Sequence, residues 1–136
     1  MRDELLRRVD AIEEAYEFML AYAAQGLAGD AGSQTGGQLR ESLSRAAAAL
    51  SGLGELLLSV IDSEDLKPAD KYRAYHAVLD RDARDALAAI ELVLAQSSIS
   101  SQLVDNLNAS IHLRALLTDL FLIDEILKAQ VATPGP

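Results

Sequence analysis

Cysteine and tryptophan are absent, proline occurs three times, and aromatic residues make up only 4% of the 136 positions. Without cysteine the chain has no disulfide, no thiolate metal site and no cysteine nucleophile. Alanine and leucine dominate in place of aromatics, a mixture that favours helices over sheets. Positive charge is also scarce: 12 basic residues stand against 21 acidic ones, for a net charge of −9. Such a field repels phosphate backbones and anionic lipid surfaces, and the Arg and Lys residues are scattered singly among Asp and Glu with no basic stripe. Nucleic-acid and membrane partners are therefore not expected. No stretch reaches the roughly 18 uninterrupted apolar residues that a membrane-spanning helix needs. The opening MRDELLRRVDAIEE spreads its charges and has no apolar signal-peptide segment, so a cytoplasmic protein is expected.

What is present is helical periodicity. Three joints divide the chain: 28-AGDAGSQTGGQ-38, with four glycines; 62-DSEDLKP-68, which ends in a proline; and 97-SSISS-101, with several potential serine caps. Between them, Leu5, Val9, Ile12, Tyr16, Met19, Ala23 and Leu27 recur at spacings of three and four, as one stripe of a helix does. Leu39, Leu43, Ala46, Leu50, Leu53, Leu57 and Val60 repeat the pattern, as do Tyr72, His76, Leu79, Ala83, Ala86, Ile90 and Val93. The expectation is an all-α protein: one domain over residues 1–131, folded as an antiparallel up-down-up-down four-helix bundle. Its helices are expected at about 2–27, 39–63, 68–97 and 101–130, with a flexible tail at 132–136.

The fourth segment breaks the pattern. Leu103, Val104, Leu107 and Ile111 share one arc at 100° per residue, whereas Leu113, Leu116, Leu117, Leu120, Ile123 and Leu127 centre on nearly the opposite one, with Phe121, Leu122 and Ile126 outside it. A segment apolar on nearly every side implies burial on every side. The sequence therefore predicts a subunit interface, most simply a homodimer, built from Leu113, Leu116, Leu117, Leu120, Phe121, Ile123, Ile126 and Leu127. Phe18 and Tyr22, one turn apart and off the first stripe, are expected to add a second apolar patch. Asp119, Asp124 and Glu125 interrupt the apolar surface and are candidates for fixing the register of an interface.

Chemistry-bearing motifs are sparse. A di-metal bundle site needs Glu three positions before His, but Arg73 and Ala109 precede His76 and His112. The Gly-rich 29-GDAGSQTGG-37 lacks the lysine and preceding strand of a phosphate loop and reads as a flexible connector. Glu13, Glu14 and Glu17 read as a solvated face, and no enzyme, metal or cofactor is expected. Two functions remain: a protein-interaction or regulatory bundle that self-associates through its fourth helix, or a small-molecule binder with a pocket near Tyr16, Tyr72, Tyr75, His76 and Asp124.

Overall fold

The computed structural model describes residues 1–132, and these form six α-helices and no strand. The helices are α1 (Arg2–Ala24), α2 (Gln34–Leu50), α3 (Leu53–Ser63), α4 (Ala69–Leu94), α5 (Ser101–Ala109) and α6 (Ile111–Ala132). The all-α expectation holds, but the four continuous helices are corrected to six, because two of the expected segments are broken. Of the expected tail, residues 133–136 lie outside the described residues, while Ala132 ends α6.

Each break has a local cause. Between α2 and α3, Ser51 is extended (φ −65°, ψ 117°) and Gly52 is left-handed (φ 73°), a conformation that costs glycine little. The two helices are bent by 42° there, and Arg8 Nη1 donates to the Ser51 carbonyl at 2.8 Å, satisfying one of the groups that the break frees. Between α5 and α6, Ser110 is extended (ψ 141°), and its Oγ accepts from the Leu113 N–H at 3.3 Å, capping α6. The apolar arc of Leu103, Val104 and Leu107 thus ends at a helix break, and Ile111, grouped with it by spacing, is the exposed first residue of α6.

The first joint is also shorter than expected. Ser33 caps α2 by accepting from the Gly36 N–H at 2.9 Å, so the helix begins at Gln34 and takes in Gly36 and Gly37. What remains of the joint is tied down. Asp30 is buried, accepts from the Ile99 N–H at 2.6 Å, and binds the Arg40 guanidinium, which also donates to the carbonyls of Leu94 (3.2 Å) and Gln96 (2.9 Å). Ser101 Oγ bridges Tyr22 O at 2.6 Å and Leu27 N at 2.9 Å. The flexible connector read from the sequence is corrected to an anchored turn, joined to the α4–α5 loop by these bonds. The Arg40 guanidinium, followed by the Ile99 N–H, holds the Asp30 carboxyl below its ordinary range.

α1 packs mainly against α2 and α5, and α4 mainly against α3, α6 and α2. The predicted stripes form the core: Leu5, Val9, Ile12 and Met19 from α1, Leu39 and Leu43 from α2, Leu79 and Ile90 from α4 are all buried. Each such aliphatic side chain contributes about 1.5–3 kcal/mol on leaving water. Ala46, Ala83 and Ala86 lie in the same core, where small side chains let helices approach closely. At the far end Arg2 fastens α1 to two neighbours, with Nε on Glu64 at 3.1 Å and Nη1 on the Leu127 carbonyl at 2.9 Å.

Candidate functional site

Most of the apolar side of α6 is spent within the protomer. Leu113, Leu116, Leu117, Leu120, Ile123 and Leu127 are all buried against the other helices of the same chain. They are corrected from interface residues to core residues, because α4, α5 and α1 together cover that side of α6. Phe121, Leu122 and Ile126 remain exposed. Tyr22 is likewise corrected: it is fully buried and its hydroxyl donates to the Ile99 carbonyl at 2.7 Å, so it forms no surface patch with Phe18. Phe18 is half-buried and packs on the core.

The expected pocket comes apart in a similar way. Tyr72 and Tyr75 line an apolar groove of about 200 Å³ together with Lys71 on α4 and Leu122, Ile123 and Ile126 on α6. Tyr16, His76 and Asp124 do not line it. Asp124 instead pairs with Lys128 at 2.9 Å, and burial together with the neighbouring Asp124 raises the Glu13 carboxyl. His76 is partly exposed on α4.

One face does gather unsatisfied features, along the antiparallel seam of α4 and α6. Beside the tyrosine groove, Ala77, Val78, Arg81 and Asp82 border a second depression, and Ile111, Arg114, Ala115, Thr118 and Asp119 a third. Four of the large apolar side chains left exposed stand here: Val78, Leu122 and Ile126 are between 37% and 50% exposed, and Ile111 reaches 75%. Tyr75, Val78 and Asp82 follow at spacings of three and four, so α4 presents them as one row. Phe121 lies about 100° around α6 from Leu122, on the side of Arg114. Three of the chain's 12 basic residues (Lys71, Arg81, Arg114) and two of its 21 acidic ones (Asp82, Asp119) border the three depressions. Exposed Asp85 and Glu125 stand one turn from Asp82 and Leu122, so the face carries acidic residues beside its three basic ones.

At its centre the Tyr75 hydroxyl donates to the Asp119 carbonyl at 3.1 Å and lies 3.4 Å from Asp119 Oδ1. Asp119 is only 9% exposed, and its Oδ2 is buried without a donor. Burial and the adjacent Asp82 carboxyl raise Asp119 to about 7, and burial with the neighbouring Asp119 also raises the Tyr75 hydroxyl. Paired carboxyls with separated proton affinities resemble an acid–base couple, but catalysis needs a cleft in which a substrate reaches them. The Asp119 oxygen that lacks a donor is closed to solvent.

Sequence reasoning singled out Asp119 as an interruption of the apolar helix and missed Asp82. The available signal was that Asp82 falls four residues after Val78 and seven after Tyr75, on the same row. Among the described residues no group of three His, Cys, Asp or Glu side chains is arranged to hold a metal ion. No single described helix is long and apolar enough to cross a membrane. No family model, curated protein or solved structure matches the chain.

Proposed function

We propose that this chain is a non-enzymatic, cytoplasmic protein-interaction module that self-associates as a homodimer, and that its docking surface is the α4–α6 face. The observation that carries the reading is the row of exposed Val78, Ile111, Leu122 and Ile126 around the apolar tyrosine groove. Scattered exposed apolar residues are ordinary, whereas several on one face, rimmed by charge, are what an interface requires. A second copy is the occupant because a two-fold contact would set this apolar row against itself and cover both at once.

We also read the six helices as a bent form of an antiparallel four-helix bundle, with α2–α3 and α5–α6 each acting as one interrupted arm. The pairing of α1 with α2 and α5, and of α4 with α3 and α6, supports this arrangement. It leaves the outer surface of the α4–α6 pair without a covering helix.

A small-molecule role is the second reading, favoured by the apolar lining around Tyr72 and Tyr75. The groove of about 200 Å³ is smaller than the roughly 300–1,000 Å³ of ordinary ligand sites, and it suits an inserted side chain better. Light scattering after size exclusion, across a concentration series, tests the main reading. The wild type is expected to dimerise, and Leu122→Asp to be a monomer with unchanged helicity, since Leu122 is half exposed and contributes little to the core. A wild type that stays monomeric at the highest concentration refutes self-association.

A further inference from the structure

A single residue, Ser110, separates α5 from α6. From 101 to 132 the sequence holds neither glycine nor proline, so it is compatible with one unbroken helix. The break rests on the extended Ser110 backbone (φ −63°, ψ 141°) and on its Oγ, which accepts from the Leu113 N–H at 3.3 Å. We infer that Ser110 is a hinge through which the chain exchanges α6 with a second copy. The hinge straightens, α5 and α6 join as one helix, and each α6 takes in the other copy the place that it holds here in its own chain.

The two apolar arcs dictate this outcome. In a continuous helix Val104 and Leu107 point nearly opposite to the arc centred on Leu116 and Leu120. α5 is held to the end of α1 by Ser101 Oγ, bonded to Tyr22 O at 2.6 Å and to Leu27 N at 2.9 Å. While α5 stays there, straightening turns the α6 arc away from its own core, and an arc of that kind has to be buried elsewhere. The surface that fits it is the one it has left, on α1 and α4, and a second copy offers the same surface. Away from the hinge the closed and exchanged forms therefore make the same contacts, and only groups beside the hinge favour one over the other.

Three features there favour exchange. Ile111, at 75% the most exposed large apolar side chain among the described residues, lies where the two joined helices pass each other, and so gains cover. The N–H groups of Ile111 and His112, first in α6 and without an intrahelical acceptor, gain the carbonyls of Leu107 and Asn108 in a continuous helix. The Asn108 side chain, two residues before the hinge, is buried with both its oxygen and its nitrogen unpartnered, which disfavours the bent arrangement. Against these stand the Ser110 cap and the entropy lost on joining two chains, so exchange belongs to high concentration. Fully buried Leu116 and Leu120 have to leave the core on the way, so each form persists once made. The exchange does not rest on docking through the outer α4–α6 face, which is rebuilt from α4 of one copy and α6 of the other.

The test takes the protein through urea at its unfolding midpoint, returns it to buffer at high concentration, and separates monomer from dimer by size exclusion with light scattering. It is run on Leu122→Asp, which removes face docking, and in that background on Ser110→Ala and Ser110→Pro. Leu122→Asp is expected to yield a dimer that survives dilution for hours. Ser110→Ala, which loses the cap and favours a helix, is expected to raise the dimer-to-monomer ratio at least about fivefold. Ser110→Pro suits φ −63° but cannot lie inside a helix, and is expected to abolish the dimer. If it fails to fold, Ser110→Gly, an adequate cap but a poor helix former, is expected to lower the ratio by about fivefold. The chain has no cysteine of its own, so Arg2→Cys/Gln130→Cys with a short bismaleimide reports where α6 sits, because these side chains meet at 3.5 Å across α1 and α6. The monomer is expected to link within one chain and the dimer between two. A dimer that links within each chain, a ratio indifferent to residue 110, or no dimer after the urea cycle overturns the inference. If the wild type dimerises while Leu122→Asp stays monomeric even after the cycle, exchange is overturned and face docking stands. If Leu122→Asp gives a dimer linked between chains while untreated wild type is monomeric, exchange stands and face docking fails.

Discussion

Gly36 and Gly37 are neighbours in the first turns of α2, and propensity treats them alike: alanine at either should favour the helix by up to about 1 kcal/mol. The fold treats them oppositely. A Cβ at Gly36 would lie 2.6 Å from the carbonyl carbon and 2.8 Å from Cα of Asp30, and closer still to its oxygen. Carbon atoms rest at about 3.5–4.0 Å, so the Asp30 backbone would have to retreat by about 1 Å. Asp30 cannot retreat freely, because its carboxylate holds the Ile99 N–H at 2.6 Å and the Arg40 guanidinium. Losing one hydrogen bond to a charged, buried group costs about 1.5–3 kcal/mol. Against the propensity gain, Gly36→Ala is expected to destabilise the protein by about 1–2 kcal/mol. Nothing lies within 4 Å of a Cβ at Gly37, so Gly37→Ala is expected to stabilise it by about 0.5–1 kcal/mol. Urea unfolding followed by circular dichroism would read the difference, with calorimetry showing a separation of several degrees in Tm. Equal stability of the two variants would refute the claim that the α1–α2 turn is clamped against α2.

Two further tests address the core and the clasp. Leu120→Ala is expected to cost about 2–5 kcal/mol and Phe121→Ala less than about 0.5 kcal/mol in urea unfolding, since Leu120 is fully buried and Phe121 is 54% exposed; similar losses would contradict this placement of α6. Asp30, held below its ordinary range chiefly by Arg40, contributes stability that is present above the usual carboxylate range and lost as pH falls through its lowered value. Asp30→Asn is therefore expected to be less stable at neutral pH and to lose less on acidification, and an acid-unfolding curve parallel to that of the wild type would rule this out.

How far the fold could be read in advance differs from element to element. The stripes of Leu5, Val9, Ile12 and Met19 and of Leu79, Ala83, Ala86 and Ile90 are buried as their spacing requires, because an amphipathic pattern states which side of a helix must leave water. The shift of the apolar arc near Ile111 was visible too, but its meaning was not. Two arcs on opposite sides of one continuous helix demand two covering surfaces, whereas Val104 and Leu107 on α5 and the leucine arc of α6, separated at Ser110, both turn into one core and leave Ile111 exposed. Gly36 and Gly37 hid the start of α2, since glycine ranks low as a helix former and the Ser33 cap overrides it. In the candidate site, Tyr72, Tyr75 and Ile126 were named from the sequence, while Tyr16, His76 and Asp124 were grouped with them wrongly, because rough axial level does not say which groove a side chain enters.

By itself, then, the sequence determined that the chain is helical, which residues within each helix turn inward, and that the chain carries a net charge of −9. These are properties of side-chain chemistry and of spacing within a few turns. Only the tertiary structure decided that six leucines and isoleucines of α6 are covered by the chain itself, that Asp30 and Arg40 bind the two loops together, and that Tyr75 of α4 reaches Asp119 of α6. Those pairings join residues far apart along the chain. They depend on the 42° bend at Gly52 and the break at Ser110, which set where each helix face arrives, and local periodicity carries no information about a contact between two helices.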